Sequence, residues 1–380
     1  MVDAPETSAD GLDDFSAGLR RERATRALLP LFFVSGATGL AYQTIWAREL
    51  HLVFGTSTFA IATVLAAFMC GLALGGLLMG RWADRLARPL AVYGWMEVGI
   101  GAYALLFPFL LRLLTPIYLS FWEIAEPSPL VFGAVQFLLV GSTLLLPTMM
   151  MGATLPLLAR FATDRMAAVG DRVGTLYAVN TAGAVFGTWI CGFMLLPVMG
   201  LWATTITAAV ANLVLGVLAL VLDKWSTGAL TAKVQDDLPA VPFDSRVLPV
   251  AIAAGLAGFS ALAYEVAWTR ILGLMLGASV YGFSIMLLAF LTGIAAGGYI
   301  GGRWADRLFV SGGQARLLGA MAAVQIGVGL LSWLLLFLFP ELPVMYVLLY
   351  GALQAHESQT LVWIVGMALA VLVMTPPAVL

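Results

Sequence analysis

The stretch Gly36 to Leu86, GATGLAYQTIWARELHLVFGTSTFAIATVLAAFMCGLALGGLLMGRWADRL, is written a second time from Gly258 to Leu308. Set without a gap, Tyr42 on Tyr264, the two copies agree at about 24 of 51 positions, more than a shared apolar bias supplies, which marks an internal duplication. Each copy holds a Tyr-x-x-x-Trp-x-Arg cluster (Tyr42, Trp46, Arg48; Tyr264, Trp268, Arg270), a long apolar run rich in small residues, and a closing Gly-Arg-Trp-Ala-Asp-Arg string at Gly80 to Arg85 and Gly302 to Arg307. About 20 apolar residues cross the roughly 30 Å hydrocarbon layer of a bilayer. The repeat unit therefore reads as a pair of membrane helices and the loop that follows.

Composition agrees over the whole chain. With 61% hydrophobic and 11% charged residues and a mean hydropathy of +0.97, the chain falls in the polytopic membrane class and outside the soluble one. The net charge of −2 is spread over short loops with no basic, aromatic-studded surface segment, so nucleic acid is not an expected partner and the lipid bilayer is. Cys70 and Cys191 lie inside apolar runs and read as packing residues. His51 and His356 have no second ligand at metal spacing, so neither metal nor cofactor is expected in these residues.

Ten spans follow from the apolar runs: roughly 28–52, 58–80, 90–113, 131–158, 174–197, 201–222, 247–272, 280–301, 315–339 and 359–380. Arginines and lysines cluster after even-numbered spans, at Arg81, Arg85 and Arg88, at Arg160, Arg165 and Arg172, at Lys224, Lys233 and Arg246, and at Arg303, Arg307 and Arg316. The opposite connections carry Glu123, Glu126, Glu341 and Glu357. Positive loops face the cytoplasm, so the polar tail 1–27, basic from Arg20 to Arg26, is expected inside a cell (inner) membrane.

The expected organisation is that tail, a six-helix bundle over 28–222, a cytoplasmic linker over 223–246 and a second bundle over 247–380 with four helices. Six spans separate equivalent points, so both copies keep one orientation, a parallel repeat. Met374-Thr-Pro-Pro-Ala-Val-Leu380 lines up with Leu145-Leu-Pro-Thr-Met-Met150, after which the first copy continues. The second bundle is thus expected to be truncated, with further spans in a longer parent. Pro147 and Pro156 in the fourth span call for neighbours that re-satisfy freed backbone groups. Gly183, Gly187 and Gly192 in the fifth form a small-residue face for close helix approach.

Polar residues inside spans are the candidates for chemistry. Gln43 corresponds to Glu265, and Glu97 to Gln325, so each half keeps one acid and one amide with the positions exchanged. A carboxylate near mid-bilayer costs about 2.5–3.5 kcal/mol on insertion scales, so it faces the interior, is paired or is protonated. Tyr42, Gln43, Glu97, Asn180, Tyr264, Glu265 and Gln325 make the candidate cavity for a small cation or proton, with Tyr177 and Gln136 as lesser members. The alternative is an internal ion pair of Glu265 with Arg270 or Arg48, or arginines that snorkel to the interface. No nucleophile with a base and no glycine-rich phosphate turn is present.

The string Gly80-x-x-x-Asp84-Arg85-x-x-Arg88, repeated as Gly302-x-x-x-Asp306-Arg307, resembles the signature loop of the major facilitator superfamily, with Ala87 where that loop usually has glycine. On this resemblance the loops latch the cytoplasmic face, glycine permitting close approach and the charges pairing across helices. The bland reading is positive-inside anchoring. The first-copy text, with LPTMMMGATLPLLARF and GTLYAVNTAGAVFGTWICGFMLLPVMG, resembles the membrane portion of fused major facilitator/spermidine synthase proteins. That resemblance implies an all-α major-facilitator-like fold and a link to polyamine biosynthesis. It further implies a polyamine aminopropyltransferase domain in the parent, acting on decarboxylated S-adenosylmethionine and a diamine, with transport or anchoring left to the membrane part. An independent transporter of another small solute is the alternative. Substrate, coupling ion and oligomeric state are not set by the sequence.

Overall fold

The computed structural model describes residues 9–55, 58–125, 128–162, 169–226, 247–277, 280–354 and 358–380. Most of the expected linker, 227–246, the start of the tail and the Asp306 side chain lie outside the described residues. Ten α-helices account for nearly all of the rest: α1 (Ala9–Phe54), α2 (Thr58–Trp82), α3 (Pro89–Ala125), α4 (Pro129–Ala162), α5 (Val169–Ile190), α6 (Leu196–Ser226), α7 (Val247–Leu276), α8 (Val280–Leu338), α9 (Leu342–Ala352) and α10 (Gln359–Val379). Among the described residues nine helical stretches are long and apolar enough to cross a membrane. Large apolar side chains such as Leu113, Leu138, Val198 and Phe337 stay exposed, as a chain dissolved in lipid requires.

Nine stretches stand where ten spans were expected, because Val173–Trp225 is one apolar run of 53 residues. A straight helix of that length would reach about 80 Å at 1.5 Å per residue. The run is instead broken at Gly200, with φ 74° and ψ 177°, after a π-helical turn over Cys191–Leu195. Only glycine takes that backbone conformation cheaply. The expected eighth and ninth spans likewise belong to one helical run, α8, broken at Gly313 with φ 64°. Two segments read as loops or tail are helical: α1 begins at Ala9, and α9 follows a 3-10 turn at Phe339–Glu341.

The first-half helices pack in pairs, α1 on α5, α2 on α4 and α3 on α6. Glycines set the seams. A Cβ at Gly183 would sit 1.9 Å from the Phe33 carbonyl oxygen, and one at Gly187 2.0 Å from that of Ala37, so α5 lies backbone to backbone on α1, as its small-residue face anticipated. Pro147 cannot donate to the Thr143 carbonyl of α4; the Tyr103 hydroxyl of α3 donates to it instead, at 2.7 Å.

One of these three seams recurs in the second copy. Gly71 meets Thr148 and the Leu145 carbonyl, and Gly75 the Met149 carbonyl; Gly293 meets Ala378 and the Thr375 carbonyl, and Gly297 the Val379 carbonyl. The α2–α4 seam thus recurs between α8 and α10. Tyr42 stacks on Trp46 at 5.0 Å and 15°, and Tyr264 on Trp268 at 5.5 Å and 15°. α1 and α7 end at equivalent left-handed glycines, Gly55 (φ 80°) and Gly277 (φ 76°).

Candidate functional site

Glu97 sits at the polar centre of the first six helices, with no exposed surface. The Ser35 hydroxyl of α1 donates to its Oε1 at 2.5 Å, and the Asn212 amide of α6 to its Oε2 at 2.5 Å. The Tyr42 hydroxyl donates to Asn212 Oδ1 at 3.4 Å, and Asn180 to the Phe32 carbonyl at 3.3 Å. Glu97, Asn180 and Asn212 line a cavity of about 110 Å³, closed further by Phe68 of α2 and Thr154 of α4, so every first-half helix contributes to it. α1 admits the chain because it carries Ser35-Gly36-Ala37-Thr38-Gly39 here; Gly36 lies against the Asn180 backbone, where a Cβ would come within 2.1 Å of its carbonyl oxygen.

Three of the expected cavity residues, Tyr42, Glu97 and Asn180, are brought together there. Ser35 and Asn212 were missed. Asn212 had a legible signal, since it is the one amide in the apolar run Ala208 to Leu222; Ser35 had none, because a hydroxyl in a spanning helix usually bonds its own backbone. Gln43 is buried nearby on α1, and its amide nitrogen has no hydrogen-bond partner. Tyr177 is exposed and takes no part. Gln136 is buried, with its amide nitrogen unpartnered.

Among the described residues the second copy builds no equivalent centre. Glu265 is 1% exposed and both its carboxyl oxygens lack a hydrogen-bond partner. The expected ion pair with Arg270 does not form: five residues on, at about 100° per residue, Arg270 lies some 140° round α7 on another face and is exposed. Arg48 does not reach Glu265 either. Gln325, the counterpart of Glu97, is exposed on α8, and Tyr264 is spent in the apolar cluster around Trp268.

A larger cavity of about 230 Å³ opens between the copies, where α1 and α2 face α7 and α8. Arg48, His51 and Arg270 line it with Thr44, Thr269 and Phe283. Elsewhere the halves touch at Gly192, whose Cβ would meet the Ser284 hydroxyl at 2.0 Å, and through the Phe193, Tyr281 and Trp363 ring cluster.

At the opposite end, the turn after α2 ties three helices together. Asp84, in the 3-10 turn Ala83–Arg85, pairs with Arg160 of α4 at 3.4 Å. The Arg88 guanidinium donates to Asp223 Oδ2 at the end of α6, through Nε at 2.9 Å and also through an Nη. The charges pair across helices, whereas the glycine role differs from expectation: a Cβ at Gly80 or Gly302 meets nothing within 4 Å. Arg85 and Arg307 are exposed. Among the described residues no three His, Cys, Asp or Glu side chains converge on a metal-sized site.

Compared with known proteins, the chain matches no family model, no curated protein and no solved structure.

Proposed function

We propose that the chain is a major-facilitator-like membrane domain, two parallel copies of one helical bundle, belonging to a fused major facilitator/spermidine synthase-type protein. In that reading it serves polyamine biosynthesis by carrying polyamine across the bilayer or by holding the synthase domain at the membrane. The single observation that supports it is the Glu97 centre. A carboxyl group held by two donors, with a cavity beside it and helices α1 to α6 around it, suits an ammonium group or a proton better than any other ligand. The orientation follows from the charged loops: the Asp84–Arg160 and Arg88–Asp223 end lies on the cytoplasmic side.

A second reading, an independent secondary transporter of another small solute, is favoured by one feature. The larger cavity lies between the copies, where alternating access would open a path, and it carries arginines instead of acids.

The test is flux of labelled putrescine and spermidine into vesicles carrying the full-length protein. The polyamine reading expects saturable flux that falls at least tenfold in Glu97→Gln. Equal flux in wild type, Glu97→Gln and empty vesicles would reject transport and leave anchoring, which coding sequence for a soluble α/β domain beyond Leu380 would support.

A further inference from the structure

We propose that the cavity beside Glu97 is a site for the primary ammonium end of an aliphatic amine, and that Thr38, Asn180 and Thr154 select that end by its N–H groups. The proposal rests on the reading of the Glu97 centre as a cation site and names the cation.

The polar lining is an array of acceptors. Ser35 and Asn212 each donate to one carboxyl oxygen of Glu97, and both oxygens keep further lone pairs. Asn180 donates its Nδ2 to the Phe32 carbonyl, which leaves Oδ1 as its free acceptor. The Thr38 hydroxyl gives its proton to the Val34 or Ser35 carbonyl, each at 3.1 Å, and Thr154 gives its own to the Met151 carbonyl at 2.7 Å. Each threonine Oγ1 then has only lone pairs to offer. Acceptors thus line one space from α1, α3, α4 and α5, and no Lys, Arg or His lines it.

Three kinds of cation meet that array differently. A proton on Glu97 uses none of the acceptors on α1, α4 and α5. A bare inorganic cation uses them but gains nothing from the rest of the wall, which is apolar, with Leu40, Phe68, Leu72, Ile100 and Met151. An alkylammonium uses both: its head carries three N–H donors, and its carbon chain covers the apolar wall as a lysine stem does. Glu97, Asn180 and a threonine hydroxyl then accept one charge-assisted bond each. Methyl groups in place of those hydrogens keep the charge, remove every donor and leave the acceptors unpaired, which a polar site rejects strongly. At about 110 Å³ the space is far below the roughly 300–1,000 Å³ of drug-sized pockets, so it holds one head and a short length of chain.

The probe is n-butylammonium, titrated calorimetrically into full-length protein in phosphatidylcholine nanodiscs in potassium phosphate, with butyltrimethylammonium and sodium as comparators. The expected result is saturable butylammonium binding, at least tenfold weaker for the trimethylated analogue. It should weaken at least tenfold in Glu97→Gln and at least threefold in Thr154→Val, and stay unchanged in Arg112→Gln, whose guanidinium lies over the Phe109 ring away from the site. If Glu97→Gln fails to elute as wild type, the trimethylated analogue and Thr154→Val carry the test, since valine keeps the shape of threonine without its oxygen. Equal binding of the two amines, or binding unchanged in Thr154→Val, overturns selection by N–H groups. Displacement of butylammonium by equimolar sodium, binding that survives Glu97→Gln, or no butylammonium binding at all overturns the site. Polyamine flux is read separately: butylammonium binding without flux keeps the site and rejects transport, whereas Glu97-dependent flux without butylammonium binding rejects the site and keeps transport.

Discussion

The two copies share the seam of α2 on α4, repeated as α8 on α10, and differ at their polar centres. Gly71 and Gly75 meet α4 as Gly293 and Gly297 meet α10, while Glu97 is fully hydrogen-bonded and Glu265 is buried with bare oxygens. The second copy has Ala257 where the first has Ser35, and its amide counterpart Gln325 faces outward. Packing positions tolerate no divergence, because backbone contact leaves room for no side chain. The shared seam is fixed by backbone contact, and of the two buried acids the one in the first copy is the one with hydrogen-bond donors.

The shared seam should fail alike in both copies when it is overpacked. Gly75→Val and Gly297→Val each force a Cβ to about the 1.9 Å and 2.2 Å positions beside a carbonyl oxygen, where the obstacle is backbone and cannot rotate away. Each should cost roughly 4 kcal/mol or more, the range of overpacked cores and unsatisfied buried groups, and be read as loss of the monodisperse peak in detergent. A tolerated valine in either copy would mean that its seam is looser than described.

The polar centres should respond with opposite signs. Glu97→Ala leaves the Ser35 hydroxyl and the Asn212 amide without their acceptor, and an orphaned buried group costs about 1–3 kcal/mol, so the melting temperature should fall. Glu265→Gln removes a carboxyl with no partner and keeps its shape; stability should rise by up to about 2–3 kcal/mol, the insertion cost of the acid. A drop in Glu265→Gln would show that its oxygens are held by a ligand or water. Within the first centre, a double-mutant cycle of Ser35→Ala and Asn212→Ala should give a coupling of about 1 kcal/mol through the shared carboxyl.

How far the sequence carried is visible in the same residues. The duplication, the apolar helices and the close approach of α5 to α1 were all legible, because glycine spacing and apolar runs are local signals. The π turn at Cys191–Leu195 and the unbroken course of α8 to Gly313 were not, since a glycine in a helical pattern does not announce whether it will bend. At the site, Glu97 was found as an acid in an apolar run, but its partners come from helices 62 and 115 residues away. The Glu265–Arg270 pairing failed for a reason legible in hindsight: a spacing of five puts two side chains on different helix faces. The convergence of Arg48 with Arg270 needed three-dimensional placement, although their equivalence in the repeat was plain.

The smallest expected effect is the finest probe of equivalence. Gly55 and Gly277 end α1 and α7 with φ 80° and 76°, and a Cβ at either meets nothing within 4 Å. Alanine there clashes with no neighbour, so its whole cost is the left-handed backbone, about 1 kcal/mol, and it should be the same in both copies. Gly80 and Gly302 occupy helical positions with equally open surroundings; alanine there removes glycine's entropic penalty and should stabilise by up to about 1 kcal/mol. Four thermal melts thus test whether the copies share backbone geometry as well as sequence: two equal decreases and two equal increases fit a faithful repeat. A decrease at Gly55 with none at Gly277 would mean that α7 ends in a different turn from α1. The equivalent positions of Arg48 and Arg270, about two turns before those glycines, would then lose their common frame.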